Sequence, residues 1–220
     1  MASLLRCAWL LGCVEAKRLL ATEALIDTMQ YDKPLLAKVL IAGATNVGKT
    51  SLVNSLVFEG FTDVAPTIGV NFAQKLCHND NGAVNLSIWD LSGQERFQCL
   101  MPRFCQGATG IVLVFDVTEP TSLDSAGHWL AHIASYNSTP PEYAVVLAGN
   151  KLDKSPTIPL EDIQTFCDQN HITDYIPCSA KTGENVKRVF HILCTQLQQN
   201  CFNLTETATK VTPTSTCGSR

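Results

Sequence analysis

A chain of 220 residues with 45% apolar and 16% charged positions can bury a substantial core, which excludes a wholly disordered protein. Its net charge of −4 and pI near 5.7 argue against general nucleic-acid binding, which leaves a basic footprint. Ten cysteines are scattered with no CxxC pair and no Cys/His cluster at zinc spacing, so reduced thiols in a cytoplasmic protein are expected.

The opening stretch "MASLLRCAWLLGCVEAKRLL" has an apolar run cut by Arg6 and closed by Glu15, Lys17 and Arg18. It lacks the charge-first order and small-residue cleavage site of a signal peptide. It also falls short of the ~18 uninterrupted apolar residues of a membrane span. Leu4, Leu5, Ala8, Trp9 and Leu11 can share one helix face, so residues 1–34 are read as an amphipathic or disordered extension without an assigned function.

The pattern changes at Leu35, where "LLAKVLIAG" predicts a short buried strand ending in glycine, followed by a helix over "KTSLVNSLVF". "VNFAQKLCH" and "VNLSIWD" flank "NDNG", a hairpin signal. "GIVLVFDV", "YAVVLAG" and "YIPCSA" predict three further buried strands. Helical spacing recurs at Leu123, Ala126, Leu130 and Ile133, and again at Val186, Val189, Phe190, Leu193 and Leu197. This alternation predicts one α/β domain over residues 35–200. Its sheet is mostly parallel and six-stranded, with one antiparallel edge strand and helices on both faces. Residues 201–220, rich in Thr and Ser without apolar period, read as a disordered tail.

Three motifs carry chemistry. "GATNVGKT", from Gly43 to Thr50, fits G-x-x-x-x-G-K-[ST] between a predicted strand and a predicted helix. Glycines at 43 and 48 let backbone N–H groups turn inward around phosphate oxygens, and the helix that follows adds the positive end of its dipole. Lys49 would bridge the outer phosphates and the Thr50 hydroxyl would ligate Mg²⁺. The nucleotide-binding set read here is Gly43, Asn46, Val47, Gly48, Lys49, Thr50 and Ser51. A Gly-rich turn with a surface lysine remains the alternative for this motif alone.

"NKLD", Asn150 to Asp153, follows a predicted strand. Guanine offers an N1–H and a 2-amino group side by side, which the Asp153 carboxylate can accept together; adenine has no such pair. Asn150 would bond the base edge and tie it to the phosphate loop, and the Lys151 stem would lie over the ring. "SAK", Ser179, Ala180 and Lys181, supplies a second wall with a backbone N–H for the guanine carbonyl. Loops at successive strand ends converge on one sheet edge, where ligands of α/β proteins bind. The third motif, "WDLSGQERF" at residues 89–97, places Asp90, Gly93 and Gln94 after an alternating apolar stretch.

Together with "PTIGVNF", "GNKLD" and "CSAKTGEN" in order, these motifs make residues 35–200 resemble the Ras superfamily of small GTPases, most of all the Rab family. The resemblance implies a P-loop G domain that binds GTP and GDP with Mg²⁺, hydrolyses GTP slowly and recruits effectors in vesicle transport. It assigns Thr67 to Mg²⁺ and the terminal phosphate, Asp90 to Mg²⁺ through water, the Gly93 N–H to the terminal phosphate and Gln94 to the attacking water. Gln94, Lys49 and Gly93 form the expected catalytic set, and Thr50, Thr67 and Asp90 the metal set. Phe61 stands where the family places an aromatic against guanine. An exchange factor, a GTPase-activating protein and effectors would engage residues 61–72 and 89–104 of a monomer, on the cytosolic face of endomembranes. Phe72, Trp89 and Phe104 serve that surface or plain core packing, about equally.

The chain departs from the family's pattern in several places. Leu91-Ser92 replaces the usual Thr-Ala, so Ser92 either disturbs hydrolysis and exchange or is harmless. Pro102 should shorten the second-switch helix, the stretch from Phe61 to Thr67 is one residue short, and Asn71 replaces an effector-facing Asp. The tail ends "CGSR", with Cys217 alone and no polybasic run, so ordinary prenylation is not expected and membrane association has no assigned anchor. Cys7 and Cys13 are read as idle thiols rather than acylation sites. The rival reading is a GTP-bound interaction module with little or no hydrolysis; an ATPase or kinase is disfavoured by "NKLD" and "SAK".

Overall fold

The structure, a computed structural model, describes residues 33–61, 64–94, 101–136 and 143–209, with backbone alone for 203–209. The expectations placed on residues 1–32, on Thr62 and Asp63 within the first switch, on residues 95–97 of the third motif and on Cys217 lie outside the described residues.

The first strand, β1 (Leu35–Ala42), is apolar on both faces from Val39 onward because it becomes a central strand. Then follow α1 (Lys49–Phe58), β2 (Val70–Asn79), β3 (Gly82–Leu91), α2 (Met101–Cys105) and β4 (Gly110–Asp116). The chain continues through α3 (Pro120–Ser135), β5 (Ala144–Asn150), α4 (Leu160–Gln169), β6 (Asp174–Pro177) and α5 (Val186–Thr209). The six strands lie in the order β2-β3-β1-β4-β5-β6. Only β2 runs antiparallel to its neighbour, and it sits at an edge, as the alternation predicts.

Alternate residues of β1 enter different cores. Val39 and Ile41 join Leu52 and Leu56 of α1 and Phe190 and Leu193 of α5 on one face. Leu40 and Ala42 join Ala126, Trp129 and Ile133 of α3 and Phe166 of α4 on the other. Fully burying such a side chain contributes roughly 1.5–3 kcal/mol, so the two layers hold the strand ends fixed. From β1 the strands extend to both sides, so the carboxyl end of β1 is the point where α/β sheets open a ligand crevice.

Some details differ from the pattern read off the sequence. Asn79 pairs with Gly82, so Asp80 and Asn81 form the turn and the Asn-Gly pair is not its centre. Gly82 carries the positive φ, at 116°, while the Asn79 carboxamide oxygen accepts the Asn81 N–H at 3.1 Å. In α3 the fully turned-in residue is Trp129 rather than Leu130, which is half-buried. Helix α5 continues to Thr209, so the tail drawn from residue 201 begins as helix. No helix among the described residues is long and apolar enough to cross a membrane.

Candidate functional site

β1 delivers the chain into a loop that only glycine can build at two places. Gly43 takes φ +146°, and a Cβ there would collide with the Val114 carbonyl of β4. Gly48 takes φ +93°, and a Cβ there would collide with the Asn150 amide. Gly48 also caps α1 without a side-chain acceptor, which leaves the first helical N–H groups without such a cap beside the hollow. Thr45, Asn46, Gly48, Lys49, Thr50, Ser51, Thr67, Ser92, Gly93 and Gln94 line this hollow together. Val47 is buried behind it.

Lys49 is 6% exposed, and its ammonium donates to the carbonyl oxygens of Gly43 at 2.9 Å and Ala44 at 2.7 Å. Burial pushes it down to about 8, against the pull of the Asp90 charge. An anion in the hollow would favour its charged form.

Asp90 is the penultimate residue of β3 and is 2% exposed. Its Oδ2 accepts the Thr50 hydroxyl at 2.6 Å, and the Thr50 and Thr67 hydroxyls lie 2.7 Å apart. Its Oδ1 is buried with no hydrogen-bond partner. Burial raises the pKa of this carboxyl, only partly offset by Thr50, Lys49, Asn71 and Thr67. An orphaned carboxylate oxygen beside two hydroxyls is a hard-oxygen donor set, and it fits Mg²⁺. The expected metal residues Thr50, Thr67 and Asp90 are therefore together.

The second hollow is lined by Asn46, Gly48, Ser51, Phe61, Asn150, Lys151, Asp153, Ala180 and Lys181. Asn150 stands at its floor: its amide donates to the Val47 carbonyl at 2.8 Å and its carbonyl accepts the Ala180 N–H at 2.9 Å. One side chain thus joins the phosphate loop to the Ser179–Lys181 wall. The Ala180 N–H is directed at Asn150, so within that wall it is not free for a base carbonyl. Asp153 is steadied by the Ser179 hydroxyl at 2.7 Å, with Lys181 at 4.0 Å.

Lys151 adopts φ +68° and its ammonium meets Asp116, at the end of β4, at 2.6 Å. Burial disfavours the Asp116 charge, but the Lys151 and Thr118 hydrogen bonds outweigh it and hold the carboxyl below the usual range. This pair fixes the lysine stem beside the hollow. Asp116 is absent from the residues singled out in the sequence; its signal was an acidic residue ending a buried strand, too common to single it out.

The departures also find places. The Asn71 amide approaches Asp90 Oδ2 and the Thr67 hydroxyl, each at 3.5 Å, because Asn71 faces Asp90 across the β2–β3 ladder. It is exposed to solvent and also turns toward Thr67 and Asp90, a contact that the sequence reading did not include. Pro102 is the second residue of α2, and the Met101–Cys105 helix is five residues long. Phe72 is 54% exposed and meets Trp89 edge-on at 5.2 Å, while Trp89 and Phe104 pack at 5.5 Å against the α3-side core. The trio therefore combines an exposed ring with two that support it.

A model of the Ras family matches residues 38–199. The chain is 36% identical over 167 residues to the "Ras-related protein Rab-7a" of Paramecium octaurelia, covering 74% of this chain and 81% of that protein. It is 38% identical over 162 residues to the human "Ras-related protein Rab-9B", covering 72% and 81%. It is 34% identical over 172 residues to the "GTP-binding protein ypt4" of Schizosaccharomyces pombe, covering 75% and 72%.

Proposed function

Because the chain belongs to the Ras family, as a divergent Rab-like small GTPase, we propose that it is a Mg²⁺-dependent GTP/GDP switch that hydrolyses GTP slowly and serves vesicle trafficking. The observation that carries this reading is that the phosphate hollow and the base hollow meet, sharing Asn46, Gly48 and Ser51. A nucleotide laid across them would put its base at Asp153 and its terminal phosphate at Lys49 and Gly93.

Each residue then has a task. Backbone N–H groups of the loop and the start of α1 bind phosphate oxygens, and Lys49 neutralises the outer ones. Thr50, Thr67 and Asp90 would hold Mg²⁺, which neutralises phosphate charge as the terminal group leaves. Gln94 orients the attacking water; phosphoryl transfer needs positioning more than a strong base. Arg103 and Arg188, the arginines among the described residues, are exposed and neither lines the phosphate hollow. An arginine from a GTPase-activating protein would add ~10³–10⁵-fold, which fits a switch that is slow alone. The exposed Phe61 and Phe72 suit contacts with exchange factors and effectors on the cytosolic face of endomembranes.

The test is nucleotide competition by calorimetry. GTP and GDP should bind with Mg²⁺ and ATP should not compete. Asp153→Asn should weaken GTP by ~10²-fold, the loss expected when a charged acceptor of two hydrogen bonds is removed. ATP binding that rivals GTP would contradict the reading.

A further inference from the structure

Where the β2–β3 ladder stops, a side chain takes over. The last paired residues are Val70 and Leu91. Beyond them the Ser92 N–H still donates to the Gly69 carbonyl at 2.9 Å, and the Ser92 hydroxyl donates to the Thr67 carbonyl at 2.8 Å. The same hydroxyl oxygen accepts the Gln94 N–H at 3.4 Å. A serine hydroxyl has one proton and two lone pairs, so both contacts are met at once. Ser92 is 4% exposed, which shields these bonds from water.

Resting on the function proposed above, we propose that Ser92 is a positioning residue: its hydroxyl ties the Thr67 backbone to the Gln94 backbone, and so places together the two residues that carry the metal-ligating hydroxyl and the water-orienting side chain. The Thr67 hydroxyl reaches Thr50 at 2.7 Å from the backbone that Ser92 holds. This tether is internal to the protein and does not depend on a terminal phosphate. It therefore favours a closed first switch with either nucleotide, where alanine would keep the Ser92 N–H bond to Gly69 but leave the Thr67 carbonyl and the Gln94 N–H without this hydroxyl.

The experiment compares wild type with Ser92→Ala, Ser92→Cys and Ser92→Thr in the full chain. Release of a fluorescent GDP analogue is followed against free Mg²⁺, binding is repeated in chelator, and single-turnover GTP hydrolysis is timed. Loss of one buried hydrogen bond predicts that Ser92→Ala needs about fivefold more Mg²⁺ for half-protection and hydrolyses about fivefold more slowly. Ser92→Cys, close in size but a weak donor, should move the same way, so the prediction does not hang on one variant's folding. Ser92→Thr should restore both, and chelator affinity should stay unchanged in all three. Unaltered Mg²⁺ dependence, or an equal loss of affinity in chelator, overturns the positioning role. Faster hydrolysis in Ser92→Ala also overturns it and makes the hydroxyl a brake. A wild type that binds no GTP at all overturns the parent reading instead, and the proposal with it.

Discussion

At Gly93 a methyl group has nowhere to go: an ideal Cβ would stand 2.5 Å from both the Ala44 carbonyl carbon and the Thr45 nitrogen. The obstacle is backbone of the phosphate loop, so it cannot rotate aside. Gly93→Ala should destabilise the protein by ~1–3 kcal/mol, as overpacking does, and lower the GTP-to-GDP affinity ratio. Urea unfolding and paired titrations measure the two effects. Lys49 supplies a pH signature. The native ammonium loses its proton near pH 8, the unfolded one near its ordinary 10.5. Between those values the unfolded chain binds more protons, so this group makes nucleotide-free protein more stable as pH rises. The rise should appear in wild-type urea midpoints from pH 8 to 10 and be missing from Lys49→Met. Both residues stood out in the sequence because their motif names them. The neighbours that give them these properties, such as the Ala44 carbonyl under Lys49, follow only from the folded loop.

Among the elements, β5 and the loop after it do the joining. Asn150 ends β5 and bonds both the loop before α1 and the wall before α5, three segments far apart in sequence. Asn150→Ala would leave a buried carbonyl and a buried N–H without these partners, a loss of about 2–4 kcal/mol from two such groups. Nucleotide release should quicken with it; an unchanged urea midpoint and release rate would contradict the joining role. Strands and most helices were legible because apolar periods of two and 3.6 are written into residues such as Val39 to Ala42 and Val186 to Leu197. Helix α4 was not, since Ile163, Phe166 and Cys167 make a short apolar stripe in a polar segment. The hairpin was legible but its turn was not, because Asn79 and Gly82 close a turn that local side-chain bonding selects.

For the molecule as a whole, the family followed from five motifs in sequence and the mostly parallel sheet with its antiparallel edge strand from the alternation of elements, while the strand order and the meeting of the two hollows came from the structure. What the motifs left open was the meaning of Leu91-Ser92: a hydroxyl's effect depends on which carbonyl it meets, and Thr67 lies 25 residues away. The central claim is that this chain turns over GTP with Gln94 guiding water. Single-turnover hydrolysis of Mg²⁺-GTP bound to wild type and to Gln94→Leu tests it most directly. The account predicts slow, complete conversion to GDP in wild type and a fall of at least about tenfold in Gln94→Leu, whose side chain cannot hydrogen-bond water. GTP that stays intact in wild type, or conversion at equal rates in both, would contradict it and leave the GTP-bound interaction module as the better description.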